Sequence, residues 1–150
     1  MSTDPKSVVM AWTDALNQHD PDAVASLFSA DAVLTDVGTG QRAEGIDEIR
    51  ECAVAFIGTF TDLQIEKTNF LVAEGHHATE WIMTRIHTGD VPGLSATGHS
   101  FRIVGAGVGE VRDSKIVNAT EFWNMADFLI QVGVLRPSGG LRRPDRPNGE

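Results

Sequence analysis

The feature that most constrains this chain is a change of period near its middle. Up to Gly58 the apolar residues recur at helical spacing, and from Leu63 onward they fall into strand-length runs. Val8, Val9, Trp12, Ala15 and Leu16 form one stripe and predict a helix over 5–16. Residues 17–20 break it. Asp20-Pro21-Asp22 then opens a second helix, with Asp20 as cap, Pro21 in the first turn and Asp22 at the positive end. Val24, Leu27 and Phe28 supply its buried side, so the first two helices are expected to pack as a hairpin. A short β-like run over 32–37 ends at Gly38-Thr39-Gly40. Gly45-Ile46-Asp47-Glu48 starts a third helix, whose apolar face is Ile46, Ile49, Ala53, Phe56 and Ile57.

Strands are expected over 63–73, 78–88, 100–111 and 115–123. Glu74-Gly75-His76-His77 and Arg112-Asp113-Ser114 read as hairpin turns, 88–98 as a longer connection, and 126–132 as a final short helix or turn. Helices first and a meandering sheet afterwards argue for an α+β fold with the helices on one face. The expected architecture is a cone-shaped barrel of curved antiparallel sheet wrapped by about three N-terminal helices. Its hollow is the place to seek a pocket. One domain is expected over 1–136. The Pro-, Gly-, Arg- and Asp-rich tail over 137–150 has almost nothing to bury and is expected to be disordered.

Charge excludes several classes of partner. Through Leu135 there are 8 basic and 19 acidic residues, within a net charge of -9 for the chain. Such a domain repels phosphate backbones and anionic lipid surfaces, so neither nucleic acid nor membrane is an expected partner. No apolar run is long enough to span a bilayer. Residues 1–5 carry no basic stretch followed by an apolar one, so the expected location is cytoplasmic. The single cysteine, Cys52, reads as core. No phosphate loop, Ser/His/Asp set or zinc spacing appears. His76-His77 falls at a hairpin tip where adjacent side chains point apart, so no metal is expected.

Strand parity points to candidate site residues. On 100–111 one face holds Phe101, Ile103, Gly105, Gly107, Gly109 and Val111. Three glycines on one face serve either to bend the sheet or to leave space for a ligand. On 115–123, Val117, Ala119, Glu121 and Trp123 share a face. If that face is inward, Glu121 stands on the wall of an apolar hollow and its pKa rises toward the range of a general acid or base. Otherwise it is an exposed strand carboxylate. On 78–88, Trp81, Met83, Arg85 and His87 oppose Glu80, Ile82, Thr84 and Ile86, and neither face is cleanly apolar. The second face of this strand therefore suits a subunit contact. Arg85 is placed to pair with Glu121 or with a ligand carboxylate. His87 and His99 flank the long connection and either assist catalysis or serve as hydrogen-bonded structural groups. Trp12, Trp81 and Trp123 can stack on a flat ligand or serve as core.

The stretches His19-Asp20-Pro21-Asp22-Ala23 and Phe28-Ser29-Ala30-Asp31-Ala32-Val33 resemble the opening of the SnoaL-like polyketide cyclase family. That family belongs to the nuclear-transport-factor-2-like superfamily, with the ketosteroid isomerases. The resemblance continues through Glu44-Gly45-Ile46, Phe60-Thr61-Asp62-Leu63, Val72-Ala73-Glu74-Gly75, His87-Thr88-Gly89 and 92–98. It closes at Lys115-Ile116-Val117 and Gln131-Val132-Gly133-Val134-Leu135. It implies an α+β cone, a homodimer or homotetramer, and intramolecular aldol chemistry without metal or cofactor. The family's proton-exchanging acid, normally Asp, falls on Glu121. Its assisting histidine falls on Gly107, and a further Asp on Asn124. The expected function is cofactor-independent acid–base proton transfer on a carbonyl-containing, apolar or polyketide-like small molecule, with Glu121, His87 and Arg85 as catalytic candidates. Trp12, Phe56, Trp81, Met83, Phe101, Ile103, Gly107, Trp123 and Asn124 are the expected ligand-contacting residues. The alternatives are a non-catalytic small-molecule binder, or a hydroxylase-like or epoxide-hydrolase-like member of the same fold. For the last, no Arg-x-Asp lies on an inward strand.

Overall fold

A computed structural model describes residues 4–60, 62–90 and 94–136. The tail expected over 137–150 and the centre of the 88–98 connection lie outside the described residues. Helix α1 (Pro5–Asn17) begins with Asp4 accepting a hydrogen bond from the Lys6 amide at 3.2 Å. It buries Val8, Val9, Trp12 and Ala15. Helix α2 (Pro21–Ser26) follows the expected cap: the Asp20 carboxylate accepts from the Ala23 amide at 2.9 Å. At the end of α1, Asn17 reaches the sheet. Its side-chain amide donates to the Ile65 carbonyl at 2.9 Å and its oxygen accepts from the Ile65 amide at 2.8 Å.

Strand β1 (Phe28–Asp36) starts earlier than its apolar run suggested, and β2 (Gln41–Glu44) was not anticipated. Only Ala43 of β2 is buried, so four mostly polar residues show no alternation to read. Helix α3 (Gly45–Thr59) starts at Gly45, whose φ of +81° few other residues adopt at low cost. Glu48 accepts from the Glu44 amide at 2.7 Å and so satisfies one donor at the helix start.

The remaining strands are β3 (Gln64–Ala73), β4 (His76–Ile86), β5 (Ser100–Arg112) and β6 (Lys115–Trp123), and helix α4 (Met125–Gln131) is the last element of the described residues. The sheet order is β2-β1-β6-β5-β4-β3. The expected antiparallel meander holds for β3 to β6, but β1 lies parallel to β6, so the curved sheet is mixed. Most of the domain separates these two strands in sequence, so no tight turn dictates their relative direction. The β3–β4 turn consists of Glu74 and Gly75 alone, both at positive φ, as a two-residue primed turn requires. His76 and His77 are therefore not at a hairpin tip. They belong to β4, and His77 is buried.

The helices pack on the concave side of the sheet and divide its interior into two apolar clusters. One joins α1, α2 and α3 to Phe28, Val111, Ile116 and Ala119. The other gathers Phe60, Leu63, Trp81, Met83, Phe101, Ile103, Phe128 and Val132.

Candidate functional site

A small set of polar side chains shares this concave face, and the glycines of β5 make room for it. Trp81 stands opposite Gly105 in the ladder, Glu121 opposite Gly107, and His77 opposite Gly109. Each lays its side chain across its partner glycine. A Cβ on Gly105 would run into the Trp81 indole. One on Gly107 would come within 2.5 and 2.6 Å of the two Glu121 carboxylate oxygens, and one on Gly109 within 2.8 Å of His77 Nε2. The space left by the glycine face is thus taken up by cross-strand neighbours. Glycine costs some strand stability, and here it is what permits three large side chains to lie flat.

Glu121 points inward over Gly107 and is half-buried. The Trp81 indole N–H donates to its carboxylate at 2.7 Å. Burial pushes the Glu121 carboxyl above the ordinary carboxylate range. The nearby Lys67 cation and the Trp81 bond oppose that rise, and Asp36 adds to it. Asp36 itself accepts from the Trp123 indole N–H at 2.7 Å, and this ring covers Gly38.

Lys67 was not singled out by the sequence. It lies opposite Trp81 in the β3–β4 ladder, and its ammonium donates to Thr79 Oγ1 at 3.3 Å and sits 6.0 Å from the Trp12 ring centroid. Burial lowers its pKa, and Glu121 opposes this. A lysine in a strand ordinarily reads as solvent-facing. The available signal was its parity with Leu63 and Ile65. Beside it, His77 is 4% exposed and its pKa is lowered to about 4, first by burial and then by Lys67 and His76. His77 is therefore neutral near pH 7.

The other expected site residues divide into three groups. Met83, Phe101 and Ile103 are buried in the second cluster, with Phe56 and Trp123 packed against it. Trp12 belongs to the first cluster and meets Phe28 edge-on at 5.2 Å. The expected catalytic candidates His87 and Arg85 are engaged elsewhere. His87 is fully buried, with Nδ1 3.1 Å from Thr97 Oγ1 and its ring among Phe60 and Phe128. Arg85 faces Asp62 at 3.8 Å instead of Glu121. Asn124 is exposed and caps α4, accepting from the Asp127 amide at 3.1 Å. Cys52 is half-buried against the first cluster. Two surface depressions among the described residues lie away from Glu121. One, of about 510 Å³, runs along Leu63, Ile65 and Arg85, and the other flanks Cys52. Among the described residues no three His, Cys, Asp or Glu side chains are grouped to hold a metal, and no helix is long and apolar enough to cross a membrane.

A family model described as SnoaL-like polyketide cyclase matches residues 6–132. No curated protein matches. Among solved structures, AclR from Streptomyces galilaeus, described as a candidate hydroxylase, is 22% identical. The match covers 88% of this chain and 82% of that one, with a TM-score of 0.76. IdmH from Streptomyces antibioticus, described as a candidate polyketide cyclase, is 21% identical over 87% of this chain and 99% of its own, at 0.75. A protein from Catenulispora acidiphila, described as having a ketosteroid isomerase-like fold, is 20% identical over 85% and 93%, at 0.76. Likeness at this level of identity establishes the fold.

Proposed function

Since the chain belongs to the SnoaL-like polyketide cyclase family, we propose that it moves a proton at a carbon beside a carbonyl in a mostly apolar small molecule, with Glu121 exchanging that proton. One observation carries the reading: the Glu121 carboxyl lies on the concave face, over Gly107 and under the Trp81 N–H, with its pKa raised. A base of raised pKa is better matched to a carbon acid than an ordinary surface carboxylate, and general-base catalysis of this kind contributes about 10²–10⁴-fold. The proton leaves carbon for the carboxylate, and the electron pair moves onto the carbonyl oxygen. The resulting nucleophilic carbon can close a ring by aldol addition or be reprotonated at another position. No metal or cofactor is part of the proposed chemistry.

Glu121→Gln keeps the size of the side chain and its ability to accept the indole hydrogen bond, and removes its basicity. Deuterium uptake at the reacting carbon of a polyketide-like ketone, followed by NMR, should fall by at least a hundredfold. Uptake that survives unchanged would refute the role. A second reading, binding without turnover, is favoured by Gly107. The resemblance places the assisting histidine of ring-closing relatives there, and here the position carries the Glu121 carboxylate instead. The likeness to AclR, described as a candidate hydroxylase, adds hydroxylation as a third outcome, which product analysis would distinguish.

The convex face supports self-association. Val104, Val108 and Phe122 are 54%, 44% and 44% exposed, and they project from adjacent strands on the face opposite Glu121. A homodimer or homotetramer built on this face would cover them. Light scattering of Val104→Asp, compared with wild type, tests it.

A further inference from the structure

Glu121 does not stand alone in the interior. Two other groups on the same floor have unclaimed hydrogen-bonding capacity. Among the described residues no carboxylate comes within 4.0 Å of the Lys67 ammonium, although Lys67 and Glu121 sense each other's charge. Among the described residues neither ring nitrogen of His77 has a hydrogen-bond partner, and the side chain is more than nine-tenths buried. His77 covers Gly109 from β4 and Glu121 covers Gly107 from β6, so the two side chains lie over glycines two residues apart on β5. Thr79, which receives the Lys67 bond, is the next inward residue after His77.

A chain selected only for stability has simpler solutions. A half-buried charge held out of contact with its counter-charge is costly, and so is a buried imidazole without a partner. Closing the ion pair would relieve the first, and placing Met and Leu at these positions would relieve both. A ligand with oxygens facing Lys67 and His77 and a hydrogen facing Glu121 satisfies all three groups at once.

We infer that Lys67 is a catalytic residue, the ammonium that receives the enolate oxygen of an enolisable 1,3-dicarbonyl compound while Glu121 takes the proton from the carbon between the carbonyls. This inference rests on the Glu121 reading and adds to it a substrate class and an oxygen-holding group. The C–H bond breaks, its proton goes to the carboxylate, and its electron pair is delocalised onto an oxygen that pairs with Lys67. The second oxygen accepts a hydrogen bond from His77, which is uncharged and needs no protonation to donate one.

Benzoylacetone is a suitable probe, because its enolate has an absorbance band distinct from the enol. At pH 7 the wild-type protein should bind it, quench tryptophan fluorescence and bring up the enolate band. Lys67→Met should lose that band and bind at least tenfold more weakly while melting no lower than wild type. Lys67→Arg should keep most of the band. Glu121→Gln should keep the band but slow its appearance in stopped flow, which separates the two claims. An undiminished band in Lys67→Met, beside a slowed one in Glu121→Gln, would overturn the role of Lys67 and leave that of Glu121 standing. A wild-type protein that leaves the diketone spectrum unchanged overturns the inference, as does a borohydride-trapped adduct on Lys67, which would mean an imine.

Discussion

Alanine substitutions along the β5 glycines should rank in an order set by what each new methyl group meets. At Gly107 the obstacle is the end of a flexible side chain: the Glu121 oxygens at 2.5 and 2.6 Å and its Cδ at 2.8 Å. The carboxylate can swing away, but only by giving up the 2.7 Å bond from Trp81. A hydrogen bond to a charged group contributes about 1.5–3 kcal/mol. Alanine returns roughly 0.5–1 kcal/mol of the backbone entropy that glycine loses on folding. The net cost of Gly107→Ala is therefore about 1.5 kcal/mol, or a melting temperature lower by ~3–6 °C for a chain of this size. At Gly105 the obstacle is the rigid, buried Trp81 ring. At Gly109 it is the Asn118 carbonyl and the Ala119 Cα at 3.1 Å, which are backbone. Neither yields without moving a strand, so both substitutions should cost more than Gly107→Ala. Thermal and urea unfolding measure the series, and the Trp81 indole proton in an NMR spectrum reports the lost bond. A Gly107→Ala protein with wild-type stability and an unshifted indole proton would refute the packing argument, as would a series in which Gly107→Ala is the most damaging.

Three further outcomes follow from the same interior. His77 is displaced from an ordinary 6.5 to about 4, so the unfolded chain binds its proton first. Its contribution is present above pH 6.5 and lost as pH falls toward 4, amounting to roughly 3 kcal/mol over that window, with Lys67 and His76 the charged groups acting on it. His77→Leu should flatten the pH dependence of urea unfolding in that range. Glu121 has the opposite sign. Its raised pKa makes the folded state bind the proton more tightly, so this carboxyl lowers stability as pH rises above the ordinary carboxylate range. Glu121→Gln, with Lys67 and Asp36 left in place, should be more stable than wild type at pH 8, by a margin that shrinks on acidification. A constant margin would show that the carboxyl is not desolvated. Asn17→Ala removes both bonds to the Ile65 backbone and should cost about 1–3 kcal/mol in urea unfolding, without changing the slope of the transition.

Much of the frame could be read from local chemistry. Asp20 caps, Gly45 opens a helix and the Arg112-Asp113-Ser114 turn closes a hairpin because each signal acts over a few residues. Alternation on β6 likewise put Glu121 on one face with Ala119 and Trp123. Non-local features were not legible: the parallel β1–β6 pairing, the short strand β2 and the engagement of Arg85 by Asp62. Asn124 was different, because a cap signal was present in Asn124 and Asp127 ahead of an apolar run and was outweighed by family position.

The interior charges show most clearly why alternation alone falls short. Counting outward from the β3–β4 turn, Ala73 pairs with His76 and the register runs unbroken to Asn69 and Glu80. Thr68 is then skipped, and Lys67 pairs with Trp81. Without that bulge Lys67 would oppose Ile82 and face outward. β6 repeats the device. Val111 pairs with Ile116, Val117 is skipped, and Glu110 pairs with Asn118. Without that second bulge Glu121 would stand opposite Ala106 on the convex face instead of opposite Gly107. A one-residue slip moves every later side chain to the other side of a sheet. The base and the ammonium therefore share the concave face because two strands each carry one extra residue, at positions marked by no glycine or proline. A strand bulged without such a marker reads in sequence like a regular one. Glu121 could be inferred because parity within the last stretch of β6 survives the bulge. Lys67 could be reached only through its parity with Leu63 and Ile65, because its bulge falls immediately after it and a count from the β3–β4 turn gives the wrong face.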